Sequence, residues 1–233
     1  MEAYAQKKIP SQVNEFNKTN DQQVFITHLN VQGLTSVKAA YIDQDPLLNK
    51  SDIICFSETH LSDNFDWMAK QVCPPHYTIT QMGSNKNGGG GLAICIKNEM
   101  GPVTVISTSM ECLHISISKE RHKLHIMCCY KERHKNLQSF TDRLCKNISQ
   151  LPPDAQCVIV GDFNNDLLWK KETYLLERLA ELQFSQHITD ATRYDSNSGT
   201  LIDHIYTKDI SAIATKLTDC LYSDHDATAI VIR

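Results

Sequence analysis

The chain has 233 residues, of which 41% are hydrophobic, and this composition fits one globular domain. Its formal net charge of −4 argues against a strongly basic surface that binds nucleic acid without specificity. It has no run of about eighteen apolar residues, and its polar N-terminus lacks the apolar core of a secretory signal, so neither a membrane span nor a signal peptide is predicted. The net charge does not exclude a local DNA-binding face, because phosphate neutralisation depends on where Lys and Arg lie.

Nine cysteines are an odd number, and most of them lie inside apolar runs. Without a secretory signal, this pattern predicts reduced thiols in the core of an intracellular protein. No two cysteines are arranged as CxxC, so a structural zinc site is not expected.

In chain order, a polar lead-in over residues 1–23, which we expect to be partly flexible, precedes a single predicted domain over residues 24–233. Short apolar runs rich in Val, Ile and Thr and bounded by turn residues predict β-strands. These strands are predicted at residues 24–30, 52–58, 91–97, 103–109, 112–118, 123–130, 157–162, 201–207 and 227–233.

Helices are predicted between these strands, at residues 36–50, 64–72, 136–150 and 169–184. The last two carry apolar residues near the helical period, and Pro152 and Pro153 end the first of that pair. Many strands with a few interleaved helices predict an α/β (α+β) fold in which two sheets pack face to face and helices lie outside.

Four consecutive glycines, Gly88–Gly91, come directly before a predicted strand. Two interpretations are open: a flexible hairpin tip, or a backbone that approaches a ligand closely. The segment lacks the spacing and the following helix of a phosphate-binding loop, so a nucleotide-binding motif is rejected.

Polar side chains stand at the ends of six predicted strands. In a fold of two packed sheets, neighbouring strand ends converge on one edge, so these side chains could line a single pocket. They are Asn30, Glu58, Tyr130, Asp162 with Asn164, Asp203, and Asp224 with His225.

Each of these residues also has a simpler structural interpretation. Asn30 could be a turn residue, and Glu58 could cap a helix. Asp203 is harder to explain in this way, because a carboxylate inside a buried apolar run needs a partner. His225 could supply that partner, with Asp203 fixing the tautomer of its imidazole.

The order of the polar blocks "LNVQGL", "SETHL", "GDFNND", "LIDHIYT" and "SDHDA" resembles the signature of the exonuclease–endonuclease–phosphatase superfamily. The last two blocks are most similar to the apurinic/apyrimidinic-like endonuclease domains of non-LTR retrotransposons and related mobile elements. The resemblance extends over residues 24–233. It implies a four-layered α/β sandwich of two packed mixed β-sheets flanked by helices.

The resemblance also implies metal-assisted hydrolysis of a phosphodiester, with Mg²⁺ as the cofactor and Mn²⁺ able to substitute. Glu58 matches the main metal ligand, and its hard carboxylate suits Mg²⁺. Asn30 would help to hold the ion or the phosphate. Asp224 matches an additional metal ligand of the relatives.

The remaining strand-end residues match the catalytic groups of the superfamily. Asp162 would orient or deprotonate the attacking water, and Asn164 would bind a phosphate oxygen. His225 would stabilise the negative charge of the phosphate, and Asp203 would hold His225 protonated and oriented. Tyr130 would direct its hydroxyl at the phosphate or the leaving group. Which residue is the general base stays open.

The chain departs from the pattern of its relatives in three places. Gln32 occupies a position at which relatives often carry an acidic or amide residue, and its own amide is a plausible substitute. A run of charged residues follows Tyr130, and two interpretations are open: a solvated turn, or a segment that contacts the DNA backbone. The predicted DNA contacts are Lys131, Arg133, Lys135 and Arg193. The segment between residues 190 and 203 is short for a hairpin that enters a DNA groove, which predicts a relaxed target preference.

The sequence therefore predicts a DNA endonuclease that nicks one strand and leaves a 3′-hydroxyl. Two alternatives stay open: a phosphatase of the same fold acting on phosphoinositides or small phosphate esters, and a domesticated domain that binds without catalysis. The expected partners are DNA and linked mobile-element domains, a reverse transcriptase or a helicase, with no membrane. We expect a monomer that is intracellular and acts in the nucleus.

Overall fold

The computed structural model describes residues 23–45, 48–62, 66–85, 88–119, 122–169, 173–194, 198–216 and 220–233. The polar lead-in predicted for residues 1–23 therefore lies outside the described residues, except for Gln23. No helix in these ranges is both long enough and apolar enough to span a membrane.

The strands are β1 Val24–Asn30, β2 Ile53–Ser57, β3 Tyr77–Met82, β4 Leu92–Lys97, β5 Val103–Ser109, β6 Cys112–Lys119, β7 His122–Tyr130, β8 Gln156–Asp162, β9 Ser185–Gln186, β10 Arg193–Tyr194, β11 Gly199–Thr200, β12 Asp203–Lys208, β13 Ala212–Lys216 and β14 Thr228–Ile232. The α-helices are α1 Ser36–Gln44, α2 Asp66–Val72, α3 Leu137–Ile148 and α4 Tyr174–Glu181. Short 3-10 turns cover Leu48–Lys50 and Asn98–Met100.

Two six-stranded sheets form the centre of the fold, as the sequence predicts. The first has the strand order β13-β14-β1-β2-β4-β3, and the second has the order β5-β6-β7-β8-β12-β9. Each sheet has one parallel pair, β1 with β2 and β7 with β8, among antiparallel pairs, so both sheets are mixed. Strands β10 and β11 form a separate two-stranded hairpin.

Successive side chains of a strand point to opposite faces of its sheet, so both faces of each sheet carry apolar side chains. The packed sheets and helices therefore contain three apolar layers. The layer between the sheets is represented by Ile26, Ile94, Ile115 and Val158. The outer face of the first sheet packs with α1 and α2, through residues such as Phe56, Ile42 and Val72. The outer face of the second sheet packs with α3 and α4, through residues such as Met127, Phe140 and Leu175. The predicted four-layered α/β sandwich is therefore confirmed.

The predicted elements differ from the observed ones mainly at their ends. The helix predicted for 36–50 ends at Gln44, and Asp45 is already extended at φ −71° and ψ 117°. Pro46 follows it, and a proline disfavours helical geometry in the residue before it. Strand β3 was not predicted, because it lies at a sheet edge with half-exposed side chains and has a weak apolar pattern.

The parallel pairs bring four strand C-termini, those of β1, β2, β7 and β8, to one edge of the sandwich. Strand β12 starts at this same edge, because its first residue, Asp203, pairs with Asp162, the last residue of β8. Tyr130, the last residue of β7, also pairs with Asp162. All nine cysteines are free, and most are buried, as predicted.

Candidate active site

The amide of Asn30 connects the two sheets at this edge. Its Nδ2 donates to Glu58 Oε1 at 2.9 Å and to Asp162 Oδ2 at 2.8 Å. Its Oδ1 accepts from the backbone N–H of Gln32 at 3.1 Å, and the side chain is fully buried. Asn30 is therefore both a turn residue and a link that joins the two predicted halves of the site.

Three strand ends turn through the left-handed region, which residues other than glycine rarely adopt. Gln32 has φ +45°, Glu58 has φ +52°, and Asn164 has φ +43°. Each such conformation costs about 1 kcal/mol or more, and such strain is typical of functional sites. The turns redirect the chain immediately after β1, β2 and β8.

The Asp162 carboxylate is buried at the centre of the site. Its Oδ1 accepts from the backbone N–H of Asn164 at 2.8 Å. Burial, followed by the charge of Asp203, raises the pKa of Asp162 to about 7, although His225 and the hydrogen bonds from Asn164 and Asn30 oppose this shift. A carboxyl group with a pKa near neutrality can accept a proton from water at physiological pH.

Asp203 and His225 form the predicted pair. The imidazole Nδ1 lies 2.7 Å from Asp203 Oδ2, and the imidazole must be the donor because an ionised carboxylate only accepts. Burial opposes the charged form of His225. The hydrogen bond and charge of Asp203, together with the charges of Asp162 and Asp224, outweigh burial and raise the pKa of His225 above its ordinary value. The histidine is thereby favoured in its charged form.

Asp224 lies on the His225 side of the site. Its Oδ1 is 3.6 Å from His225 Nε2, and Nε and Nη2 of Arg193 each lie 2.9 Å from its Oδ2. Both members of this ion pair are about one-third exposed. The charge of Arg193, a predicted DNA contact, is therefore partly neutralised by Asp224.

Tyr130 borders the site on the Glu58 side. Burial and then the charge of Glu58, with which its hydroxyl interacts, raise the pKa of Tyr130, so the hydroxyl keeps its proton. The ring packs against Gly90, where an added Cβ would lie 3.5 Å from the ring. An added Cβ on Gly91 would lie 2.5 Å from Thr59 Oγ1. The backbone of the Gly88–Gly91 segment therefore comes close to protein atoms, and these atoms support the turn at Glu58.

The predicted DNA-contacting residues after Tyr130 separate into two kinds. Lys131 is buried, with 4% of its surface exposed, whereas Arg133 and Lys135 are exposed. The backbone of Lys131 donates to Asp162 O at 2.9 Å and accepts from Asn164 Nδ2 at 2.9 Å. Lys131 therefore contributes to the site chiefly by anchoring the Asp162 turn.

Sequence reasoning missed two hydroxyl residues that hold Asp203 and His225 in place. Thr192 is fully buried; its Oγ1 donates to Asp203 Oδ2 at 2.7 Å and accepts from the Asp203 N–H at 3.1 Å. Ser223 Oγ donates to Asn30 O at 2.6 Å and accepts from the His225 N–H at 3.1 Å. The serine turn two residues before His225 is a recognisable local signal, but nothing local marks Thr192.

The carboxylates fit a hard divalent cation. Glu58 is 23% exposed, and its Oε2 lies 3.7 Å from His60 Nε2, on the partly exposed side of the site. Mg²⁺ needs only one or two protein oxygens because it keeps several waters. Asp162, Asp203 and His225 also place potential ligand atoms within 4.8 Å of one another. Since Asp203 Oδ2 already accepts two hydrogen bonds, Glu58 is the better-suited metal ligand.

Comparisons with known proteins agree with this fold. The family described as "Endonuclease-reverse transcriptase" matches residues 124–229. The endonuclease domain of TRAS1, a telomere-specific non-LTR retrotransposon, superposes with a TM-score of 0.71 and 17% identity, covering 91% of this chain and 98% of that one. No curated protein matches the chain in sequence.

Two apurinic/apyrimidinic endonucleases have the same fold. The enzyme from Leishmania major superposes with a TM-score of 0.73 and 13% identity, covering 91% of this chain and 88% of that one. The enzyme from Archaeoglobus fulgidus gives a TM-score of 0.67 and 17% identity, covering 90% and 99%. The shared fold and the family match over residues 124–229 agree with the superfamily resemblance of the sequence blocks.

Proposed function

We propose that this domain is a Mg²⁺-dependent DNA endonuclease, with Mn²⁺ able to substitute, that hydrolyses one phosphodiester bond and leaves a 3′-hydroxyl. One observation carries the proposal: the amide of Asn30 donates to both Glu58 and Asp162. This link sets a carboxylate suited to a metal beside a buried carboxylate with a pKa near neutrality. Asp162 in turn lies beside the charged Asp203–His225 pair.

The chemistry follows from these positions. A metal ion held by Glu58 would neutralise charge on the phosphate oxygens and the leaving 3′ oxygen. Asp162 would accept the proton of the attacking water, since its raised pKa is near that of an efficient general base. Charged His225 would stabilise the phosphate through Nε2, while Asp203 and Thr192 hold the ring in place.

The other strand-end residues would complete the site. Tyr130 keeps its proton and would donate it in a hydrogen bond to the phosphate or the leaving oxygen. Asn164 Nδ2 donates to Lys131 O and, at 3.4 Å, to Asp162 Oδ2, and it would exchange this longer contact for a phosphate oxygen. Asp224 would act as an additional ligand only after releasing part of its contact with Arg193.

The proposed substrate is DNA, and the proposed biological role is target nicking by a mobile element. The family description pairs the endonuclease with a reverse transcriptase, and the TRAS1 domain is itself part of a retrotransposon. We therefore propose that a linked reverse transcriptase or helicase uses the nick, in the nucleus. The β10–β11 hairpin has two residues in each strand, which favours a relaxed target preference.

A supercoiled-plasmid assay tests the proposal. Wild-type protein is expected to convert supercoiled DNA to open circle with Mg²⁺ and to lose this activity with EDTA. Glu58→Ala should abolish conversion while leaving the thermal unfolding midpoint nearly unchanged, because Glu58 is partly exposed at a turn. Equal activity of the variant would exclude Glu58 as the metal ligand. Phosphate release from inositol phosphates without nicking would favour a phosphatase, and neither activity would favour a binding domain.

A further inference from the structure

A second histidine lies behind the catalytic pair. His28 is on β1, two residues before Asn30 and therefore on the same face of the strand, which points into the layer between the sheets. Its neighbours across the sheet are Cys55 on β2 and Thr228 on β14. The side chain is fully buried. An apolar residue would be the ordinary occupant of such a position.

The two ring nitrogens of His28 have different surroundings. Nε2 lies 3.1 Å from Ser57 Oγ, within hydrogen-bonding distance. Nδ1 lies 3.8 Å from Asp203 Oδ1. Among the described residues, neither Nδ1 nor this Asp203 oxygen has a hydrogen-bond partner. Two buried polar atoms without partners therefore face each other across a short gap.

Leaving both atoms without a partner is unfavourable, because a buried polar group that makes no hydrogen bond has lost its hydration without compensation. Complete burial favours the neutral form of the imidazole, which carries one N–H. If Ser57 donates to Nε2, that N–H is on Nδ1 and points at Asp203. Catalytic hydrogen bonds are often long in the free enzyme and shorten in the substrate complex.

We propose that His28 is a positioning residue, whose Nδ1–H donates to Asp203 Oδ1. Both carboxylate oxygens of Asp203 are then held, Oδ1 by His28 and Oδ2 by His225 and Thr192. A carboxylate fixed in this way cannot rotate away from His225 when the phosphate binds. This inference rests on the proposed nuclease function, because its kinetic consequence is the orientation of His225.

A structural role and a positioning role predict opposite outcomes for His28→Leu. Leucine fills a similar volume, so the variant should stay folded, with some loss of stability because Ser57 Oγ and Asp203 Oδ1 lose their neighbour; a purely structural role predicts that loss with an unchanged kcat. If His28 positions Asp203, the same variant should lose about tenfold to hundredfold in kcat, with KM for DNA unchanged. His28→Asn places an amide N–H where Nδ1–H stood, and it should recover most of the lost kcat.

His114→Leu is the matched control. His114 is also buried, but it lies on the opposite face of β6 from Leu113 and Ile115, which point into the layer between the sheets, and it contacts His125 at 3.0 Å. Its replacement should leave kcat unchanged. Wild-type kcat in His28→Leu, or a loss in His28→Asn as large as in His28→Leu, would overturn the proposal.

A second measurement separates this inference from the proposed function. The NMR signal of the His225 Nδ1–H proton reports its hydrogen bond to Asp203 without requiring catalysis. The signal should shift and broaden in His28→Leu and return towards its wild-type position in His28→Asn. An unchanged signal in His28→Leu would refute the positioning role. An inactive wild-type protein with a shifted signal in His28→Leu would instead refute only the proposed function.

Discussion

Replacing Asp203 by asparagine tests how the site controls the charge of His225. The substitution keeps the shape of the side chain and removes its negative charge. In the wild type, Asp203 makes the largest contribution against the burial that disfavours charged His225, and it also raises the pKa of Asp162. Removing one negative charge makes protonation of both groups less favourable, so both pKa values should fall.

The size of the effect follows from the loss of one charged donor at the phosphate. His225 would lose the largest of the interactions that oppose burial, so a larger fraction of it should be neutral near pH 7, with only Asp162 and Asp224 still favouring its charged form. A preorganised donor of this kind is worth about 10²–10³ in kcat, or roughly 3–4 kcal/mol of barrier. Asp203→Asn should therefore reduce nicking near neutral pH by about that factor.

The assay is the initial rate of plasmid nicking between about pH 5.5 and 8.5 at saturating Mg²⁺. As the pH rises, activity should first increase when Asp162 loses its proton and then decrease when His225 loses its proton. Both limbs of this pH profile should move to lower pH in Asp203→Asn, so part of the lost activity should return at acidic pH. A profile that keeps its position, or a rate loss below about threefold, would refute the proposed coupling.

Three further outcomes are expected. His225→Ala should reduce turnover by about a hundredfold or more while the protein stays folded, and a mild effect on nicking would exclude His225 as the group that stabilises the phosphate charge. Gly91→Ala should lower the free energy of unfolding by about 1–3 kcal/mol in urea titrations, because φ is +91° and the new Cβ would clash with Thr59; wild-type stability would contradict this packing. Burial lowers the pKa of His204 to about 4, below the value of about 6.5 in the unfolded chain, so its contribution to stability is lost as pH falls through this range. His204→Gln should therefore lose less stability than the wild type on acidification, by roughly 3 kcal/mol, and parallel losses would contradict the shift.

Much of the fold could be predicted because its signals are local. Each central strand is a short run of β-branched and apolar residues, and α3 shows its buried face at Phe140, Leu144 and Ile148 in the sequence period itself. The edge strand β3 and the two-residue strands β9, β10 and β11 lack such runs. Their pairing depends on neighbours brought by the fold, which a single segment does not encode.

The candidate site divides in the same way. Asn30, Glu58, Asp162, Asp203 and His225 could be found because each polar side chain lies within an apolar strand or close to one of its ends. The contact between His28 and Asp203 joins residues from different sheets, and it depends on how the sheets stack. The burial of Lys131 was likewise hidden, because its charged sequence neighbours suggested an exposed turn.

The chemistry of the nick itself is the most direct test of the central claim. Open-circle plasmid produced with Mg²⁺ should be extended at once by a DNA polymerase, with no prior phosphatase treatment, because hydrolysis should leave a 3′-hydroxyl. Nicks that require removal of a 3′-phosphate before extension, or nicks that form equally well with EDTA and with His225→Ala, would contradict metal-assisted hydrolysis at this site.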